Sequence, residues 1–414
     1  MNIRRILAGS VPAAALMLAS QGASGFGMME VGDWQVEFGG NVNAFLTQAS
    51  CEPDAAGGVG GGLACGSLNT EDRDVGSIRT GLLPSWFGFH ATQEKGGFKQ
   101  GVTIGFQPGS DGGNQVNELD GALGLNTSNF RQVFVEFSGT DWGGFKIGRD
   151  LGLFGSDAIL SDMTLLGVGT VSDLTAAGGN TSLGRIGVGY LYADWKAQIQ
   201  YYSPDWSGFQ LSLAIVDPWG LGALGPSATS TSFDQKGDTY GFEGKGSYSW
   251  KGDFAGKIWG GFIWQALDTD STVFDNQDAT GFDIGGKVSF SGFEAVAYWY
   301  TGEGIGTTGF LFDAMDPLGE TRDSDGGYVQ LTYKVPNAGT KLGVSWGQSN
   351  LDRGPNDLTT TNLVETNESW IVGIYHPLTE ALYLVGEYTD TTATAHNGNE
   401  AQEKSIALGA ILFY

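Results

Sequence analysis

The sequence predicts an all-β fold, a transmembrane antiparallel β-barrel of about sixteen strands. Three observations support this prediction. Apolar and polar residues alternate in segments of about ten residues, the connections are alternately short and long, and the last alternating segment ends the chain on Tyr414. A tilted strand needs roughly 9–11 residues to cross a bilayer, and short turns at one rim with long loops at the other are typical of outer-membrane barrels.

The alternation has a period of two residues, as in a strand with one apolar and one polar face. In the first segment, Trp34, Val36 and Phe38 share one face, whereas Gln35 and Glu37 share the other. The pattern recurs near residues 240–250, 282–290, 329–335 and 342–346. If the apolar face meets lipid, the polar face lines a water-filled interior. The candidate residues of this pore-lining wall are Glu37, Lys146, Lys196, Glu243, Lys245, Asp283 and Lys287.

Tight turns and long loops alternate along the chain. Short connections rich in Gly, Pro, Asp and Ser lie near 94–97, 139–143, 203–207, 251–253, 291–292, 336–339 and 377–379. Long connections lie near 48–77, 108–128, 150–184, 217–236, 267–279, 302–325, 350–368 and 390–404. This order implies about sixteen strands, short periplasmic turns and long extracellular loops. Aromatic residues gather beside the short turns, as expected of an interfacial girdle: Trp142, Tyr201, Tyr202, Trp206, Trp250, Tyr333 and Tyr375.

The chain divides into a predicted signal peptide, residues 1–25, and a single barrel domain, residues 26–414. Arg4 and Arg5 precede an apolar run, residues 6–19, that is too short to span a bilayer. Small residues that suit a cleavage site follow this run. An N-terminal anchor helix is the alternative interpretation.

The formal net charge of −25 argues against a nucleic-acid partner, because a phosphate backbone binds a basic face. The acidity instead indicates a solvated exterior or a field that attracts cations, and we expect a mild cation preference. Acidic clusters in the long loops could bind Ca²⁺ at the cell surface. None has the spacing of a dedicated calcium-binding loop, so solvated loop acids and no cofactor are expected.

The cysteines and histidines indicate structural roles. Cys51 and Cys65 flank a glycine-rich stretch, and in an exported protein such a pair predicts a disulfide that closes one loop. The histidines are His90, His376 and His396. None lies near a serine and an acid in an arrangement that suggests nucleophilic catalysis, so the sequence does not predict an enzyme.

At three points the chain resembles the general, non-specific trimeric porins of the Gram-negative outer membrane. Phe130–Phe137 resembles the strand that places an arginine on the pore wall. Gly143–Asp150 is similar to the strand that precedes the family's constriction loop. Ser161–Met163 and Gly184–Gly187 resemble the acidic middle of that loop and the arginine strand after it. The matches follow the family's order and surround the third long connection.

The resemblance implies that the third loop folds into the barrel, where its acids face bases on the wall across a narrow polar gap. Asp162 would be a loop acid, with Asp157 as a weaker candidate, and Arg131 and Arg185 would be wall bases. The alternatives are a helix-capping or turn role for Asp162 and ordinary solvated positions for the two arginines. The sequence departs from the family near Leu166, where a second carboxylate after a proline is common.

The resemblance also implies a homotrimer in the Gram-negative outer membrane, with membrane lipid and lipopolysaccharide as partners. The implied function is passive diffusion of small hydrophilic solutes and ions, since a barrel of this size leaves an aqueous channel. A substrate-selective channel that binds a small polar solute is the alternative, but the inward residues are mixed in charge and show no obvious aromatic row. A surface adhesin or a lipid-acting enzyme built on a barrel is a third hypothesis.

Overall fold

The chain folds into a closed antiparallel β-barrel. The structure, a computed structural model, describes residues 27–53, 58–65, 72–108, 130–171, 181–219, 239–267 and 276–414. The predicted signal peptide lies outside the described residues, so its cleavage stays a prediction. Among the described residues, no helix is both long and apolar enough to cross a membrane.

Eighteen strands form one sheet within the described residues. In chain order they are β1 (Gly27–Val31), β2 (Trp34–Pro53), β3 (Arg73–Arg79), β4 (Trp86–Lys95), β5 (Phe98–Phe106), β6 (Gln132–Gly139), β7 (Gly143–Leu151), β8 (Trp195–Tyr202), β9 (Phe209–Val216), β10 (Gly241–Trp250), β11 (Phe254–Leu267), β12 (Gln277–Phe290), β13 (Phe293–Glu303), β14 (Asp323–Lys334), β15 (Lys341–Leu351), β16 (Val364–Pro377), β17 (Leu382–Ala395) and β18 (Glu400–Phe413).

These eighteen strands occupy sixteen positions around the barrel, which confirms the expected number. The long strand β2 closes the sheet by pairing with β18 over Asn41–Pro53 and with β1 over Trp34–Phe38. Strands β1 and β18 therefore share one position. On its other side, β2 pairs with β3 near the extracellular rim and with β4 near the periplasmic rim. Strands β3 and β4 share a second position, and residues 80–85 between them leave the wall.

The side chains alternate as expected of a barrel with lipid outside. In β2, Val42 is 56% exposed and Leu46 is 59% exposed, whereas Asn43 and Thr47 are buried inside. Apolar residues point outward because the surrounding bilayer solvates them, and polar residues point inward because the lumen offers water and hydrogen-bonding partners. The predicted apolar faces near 282–290 and 329–331 point outward in the same way, with Phe282, Ile284 and Val329 exposed.

The seven short turns lie where the sequence predicts them, between successive strands at the periplasmic rim. We number the loops at the other rim L1 to L8; among them are L1 (54–72), L3 (152–194), L6 (304–322), L7 (352–363) and L8 (396–399). The predicted end of L3 near Gly184 is wrong, since the next strand begins at Trp195. The predicted long loop at 390–404 is also wrong, because β17 and β18 continue pairing beyond the apolar band and leave a four-residue turn.

Candidate functional site

L3 folds into the barrel directly after β7. A helix, α1 (Ser156–Ser161), is followed by a 3₁₀ helix over Met163–Leu166. Gly155 begins α1 with φ of +71°, a backbone conformation that glycine adopts without steric cost. Asp162 ends α1 and caps the 3₁₀ helix, because its Oδ1 accepts a hydrogen bond from the Thr164 N–H at 2.9 Å. L3 is described again from residue 181 until β8 begins.

Two wall carboxylates predicted to line the pore bind the backbone of L3. Glu243, on β10, accepts hydrogen bonds from the N–H groups of Leu153 at 2.5 Å and Phe154 at 3.1 Å. Asp283, on β12, accepts one from the Gly155 N–H at 2.9 Å. Both carboxylates are buried. These acids therefore position the start of L3 against the wall and give the loop's unpaired N–H groups strong, charged acceptors.

Glu387 on β17 binds L3 just after the 3₁₀ helix. Its Oε2 accepts hydrogen bonds from the N–H groups of Val168 at 2.7 Å and Gly169 at 2.8 Å. Its Oε1 accepts one from the Tyr375 hydroxyl at 2.6 Å. Glu387 is not among the residues predicted from the sequence, although the alternation of Leu384, Gly386 and Tyr388 as outward residues places it on the inner face. Its role depends on where L3 docks, which strand parity does not show.

Asp157 on α1 joins the loop to two wall lysines. Its carboxylate forms ion pairs with Lys245 at 3.0 Å and with Lys257, on the neighbouring strands β10 and β11. Burial alone raises the pKa of Asp157, but the charges and hydrogen bonds of the two lysines outweigh this and hold the pKa well below its usual value. Lys287 lies directly opposite Lys257 in the β11–β12 register and is half-buried. Lys257 is not among the wall residues predicted from the sequence.

The structure places Arg185 on L3 and not on a barrel strand, which corrects its predicted position on the wall. Residues 181–194 precede the next strand, which begins at Trp195, so Arg185 and Asp162 both belong to the connection between β7 and β8. The Asp162 Oδ2 accepts hydrogen bonds from the Arg185 N–H at 3.2 Å and from the Tyr190 hydroxyl at 2.8 Å. Asp162 is a buried capping residue, and the two side chains do not face each other across an open gap.

The Arg185 guanidinium ties the return limb of L3 to the wall. It donates to the Ser345 Oγ at 2.5 Å and to the Ser369 carbonyl at 3.3 Å, on β15 and β16. It also donates to the Val188 carbonyl at 3.2 Å. The side chain is fully buried, and this burial lowers its pKa despite the nearby Asp162 carboxylate. Arg185 is therefore a structural link between loop and barrel.

L3 reaches the opposite wall at the break between β3 and β4. The Leu82 N–H donates to the Gly167 carbonyl at 2.9 Å, and the Ser182 N–H donates to the Gly81 carbonyl at 3.1 Å. Arg79, at the end of β3, donates to the carbonyls of Val171 and Thr181. These bonds account for the break, because residues 80–85 exchange sheet pairing for bonds with the loop. L3 thus crosses the lumen from β10 and β12 to β17 and this segment, which lie close together around the wall.

Arg131 lies just before β6 and lines a small cavity beside L3. The cavity has a volume of about 30 Å³, and its other walls include Leu82, Leu83, Ile159 and Leu165. The arginine is buried. Arg131 is the one of the two predicted arginines that lies on the barrel side of the loop, and its neighbours on L3 are mainly apolar.

The remaining predicted wall residues lie on the inner face of the barrel. Lys146 pairs with Asp150 on its own strand, and Lys196 on β8 pairs with Glu243 on β10, across the intervening strand β9. Glu37 lies opposite His90 in the β2–β4 register. These charges are therefore distributed around the wall, and the first two lysines are buried in ion pairs.

The inner face carries aromatic residues that the sequence analysis did not recognise as a row. Tyr298 and Tyr300 on β13 and Tyr328 on β14 point inward, with ring centroids 6.0 Å apart for Tyr298 and Tyr328. L3 covers them, since the Tyr328 hydroxyl donates to the Ala158 carbonyl at 2.8 Å. All three are buried, so they form a docking surface for the loop.

A disulfide joins Cys51, on β2, to Cys65 in L1, with their Cα atoms 5.3 Å apart. Nearby, the Leu63 N–H donates to the Asn367 side chain at 2.9 Å, and the Cys65 N–H donates to Glu403 at 3.2 Å. The disulfide therefore fastens a loop that also bonds to β16 and β18. Within the described part of the chain, no group of three or more His, Cys, Asp or Glu side chains could hold a metal ion.

A barrel of sixteen positions with a loop across its lumen is the architecture of a channel, and a comparison with known families agrees. The family model described as Gram-negative porin matches residues 10–396. The chain belongs to the Gram-negative porin family. This porin is an outer-membrane protein and a passive diffusion channel, so the family, the fold and the location that the sequence predicted are confirmed. No curated protein matches it significantly.

Solved structures share the fold of this porin. The outer-membrane channel DcaP of Acinetobacter baumannii has a TM-score of 0.65 at 14% identity, covering 94% of this chain and 99% of that one. An anion-selective porin from Comamonas acidovorans has a TM-score of 0.58 at 14% identity, with coverages of 92% and 100%. Salmonella typhi OmpF has a TM-score of 0.56 at 10% identity, with coverages of 94% and 100%. At these identities the likeness concerns the fold.

Proposed function

We propose that L3 sets the size limit for the small hydrophilic solutes and ions that diffuse through this porin. The observation that carries the proposal is the path of L3 across the lumen. Wall carboxylates on β10 and β12 bind the start of the loop, and the carboxylate on β17 together with residues 80–85 binds it on the other side of the lumen. A loop held at both walls narrows the channel permanently, and passage then depends on solute size and charge.

Arg131 is our candidate for a wall base that solutes meet beside L3. It lines the cavity between the barrel and the loop, whereas the buried Arg185 guanidinium is taken up by bonds to Ser345 and Ser369 on the barrel and to Val188 of L3. Asp157 and its two partners Lys245 and Lys257 contribute to the electric field in the channel, and Lys287 adds a third ammonium group on the adjacent strand. Asp162 is a capping residue in this scheme.

Conductance in planar lipid bilayers tests this function. We expect purified porin to form open channels whose current rises in proportion to salt concentration, without saturation. Block of the current that saturates with one added solute would instead favour the substrate-selective alternative. Insertion without conductance would contradict the proposal and favour a barrel that serves as a surface platform.

We further propose a mild cation preference and a homotrimeric assembly. The net charge of −25 supports the first, because an acidic field concentrates cations near the pore. A reversal potential of anion-selective sign in a salt gradient would contradict it. The family resemblance supports the trimer and a surrounding of lipid and lipopolysaccharide. Light scattering in detergent that gives the mass of one chain would contradict the trimer.

A further inference from the structure

L6 also folds into the barrel, although no pattern in the sequence predicts this. It connects β13 to β14, and Ile305, Phe310, Leu311 and Ala314 are buried in the same apolar cluster as the return limb of L3. Leu311 has φ of +70° and Asp313 has φ of +56°, conformations that non-glycine residues adopt only when their surroundings hold them there. L6 therefore has a defined conformation and packs inside the barrel.

The tip of L6 crosses a large part of the lumen. The Lys196 ammonium lies 5.4 Å from the centre of the Phe310 ring. Lys196 is on β8, which is five positions around the wall from β13 through β9, β10, β11 and β12. At about 4.8 Å per neighbouring strand, this separation is roughly 24 Å along the wall. A loop that begins at β13 and contacts β8 must extend across the interior.

L6 lies directly against L3. The Tyr192 N–H of L3 donates to the Thr308 carbonyl at 3.0 Å, and Tyr192 and Gly309 form a β-bridge. At Gly187, an added Cβ would lie 2.6 Å from the Thr308 Oγ1 and 2.7 Å from the Leu63 Cδ1. The two inward loops thus touch without room for a larger residue at this point. Because L6 comes from the extracellular rim, it covers L3 from that side.

L7 fastens the base of L6. The Asp316 Oδ2 accepts hydrogen bonds from the Asn356 N–H and side-chain amide, both at 2.9 Å. The Arg322 guanidinium donates to both carboxylate oxygens of Asp357 at 2.6 and 2.7 Å. A two-point Arg–carboxylate contact fixes orientation as well as distance. L6 is therefore held at its base by L7 and along its length by L3.

We propose that L6 is a second constriction element, stacked on the extracellular side of L3, so that two loops together determine which solutes pass. This inference rests on the proposed function, because it assigns part of the size limit to a second loop of the same channel. Solutes reach the narrow passage at L3 only after passing the buried tip at Phe310. Removal of the L6 tip should widen the route that solutes take through the barrel, while L3 stays bound to its wall carboxylates.

The test replaces residues 308–319 with Gly-Ser-Gly and compares single-channel conductance and proteoliposome swelling with the full-length protein. We expect conductance to rise by at least about 1.5-fold, because the narrowest section governs flow, and larger sugars to enter. A heat-modifiable, folded variant with unchanged conductance and an unchanged size limit would overturn the inference.

A point variant keeps the test valid if the deletion does not fold. Phe310→Ala removes the ring that reaches Lys196, and Leu318→Ala is the matched control, because Leu318 lies on the same loop but is exposed. A higher conductance in Phe310→Ala than in Leu318→Ala supports the inference, and equal values overturn it. If the unaltered protein does not conduct, the proposed function itself fails. If it conducts and the L6 variants match it, the inference about L6 alone fails.

Discussion

Replacing Glu387 with alanine should release the end of L3 that lies against β17. The side chain is 5% exposed, and it accepts the N–H groups of Val168 and Gly169 together with the Tyr375 hydroxyl. A typical hydrogen bond contributes about 0.5–1.5 kcal/mol. A buried donor that loses its acceptor costs about 1–3 kcal/mol, and Glu387→Ala leaves these three donors without one.

A loss of about 3 kcal/mol changes the ratio of docked to released loop by more than about 100-fold. In single-channel recordings, we expect Glu387→Ala to show brief steps to higher conductance and more current noise than the unaltered porin. Glu387→Gln keeps a neutral acceptor at the same place, so its noise should be intermediate.

Asp390→Ala is the control, since Asp390 lies on the same strand but on its outward face. It should leave the current unchanged. The reasoning is refuted if Glu387→Ala folds and its conductance, noise and size limit all equal those of the unaltered porin. The carboxylate would then not position the loop.

Three further predictions concern the wall, L7 and L1. Arg131→Ala should change conductance or solute rates while the barrel stays folded, and an unchanged channel would argue against a wall role. Burial raises the pKa of Asp357, but the hydrogen bonds and charge of Arg322 outweigh it, so the pKa in the folded protein is lowered. This ion pair should therefore stabilise L7 fully at pH values above the pKa of an unfolded aspartate, about 3.9. The stabilisation should be lost as the pH falls through the lower pKa of Asp357 in the folded protein. The protection of L7 amides from hydrogen exchange, taken relative to the intrinsic exchange rate at each pH, should thus decrease in acid, and Asp357→Asn should show less change; equal protection at pH 5 and pH 3 in the unaltered protein would contradict this. Replacing Cys51 and Cys65 with serine opens a link of sequence separation 14 and should destabilise L1 by about 3 kcal/mol, seen as faster proteolysis of L1; an unchanged cleavage rate would show that the other bonds of L1 suffice.

The strands and short turns could be predicted from the sequence because each obeys a local rule. A strand between lipid and water must alternate with a period of two, and a shift by one residue would place every apolar side chain in the lumen. Turn residues are equally local in origin. The end of β17 could not be predicted in this way. Beyond the apolar band, threonines lie on both faces of the strand, and such a polar stretch is typical of a loop.

The path of L3 could not be predicted beyond its entry into the barrel. Residues Ile186, Val188 and Tyr190 alternate with small or charged residues, which is also typical of a strand. Gly187 and Gly189 have positive φ values there, so the chain bends inside the lumen and the alternation reflects packing on two sides. Asp162 caps a helix, which is the alternative to its predicted role as a loop acid. The capping preference of aspartate already favours this role.

The roles of the inward charges depended on contacts between distant segments. Strand parity placed Glu243 and Asp283 on the inner face, but it could not show that backbone N–H groups of L3 bind them. The same holds for Lys257, whose partner lies on α1 100 residues earlier. The inward path of L6 could not be predicted for a related reason. Its apolar residues have no periodicity, and their burial depends on L3 being inside the barrel.

Proteoliposome swelling with sugars of increasing size tests the central claim, that L3 narrows an open channel, most directly. The unaltered porin should admit small sugars at rates that fall steeply with size, and Glu387→Ala should shift this size limit upward. Liposomes that admit no sugar, or a size limit that is the same for folded Glu387→Ala, would contradict the account.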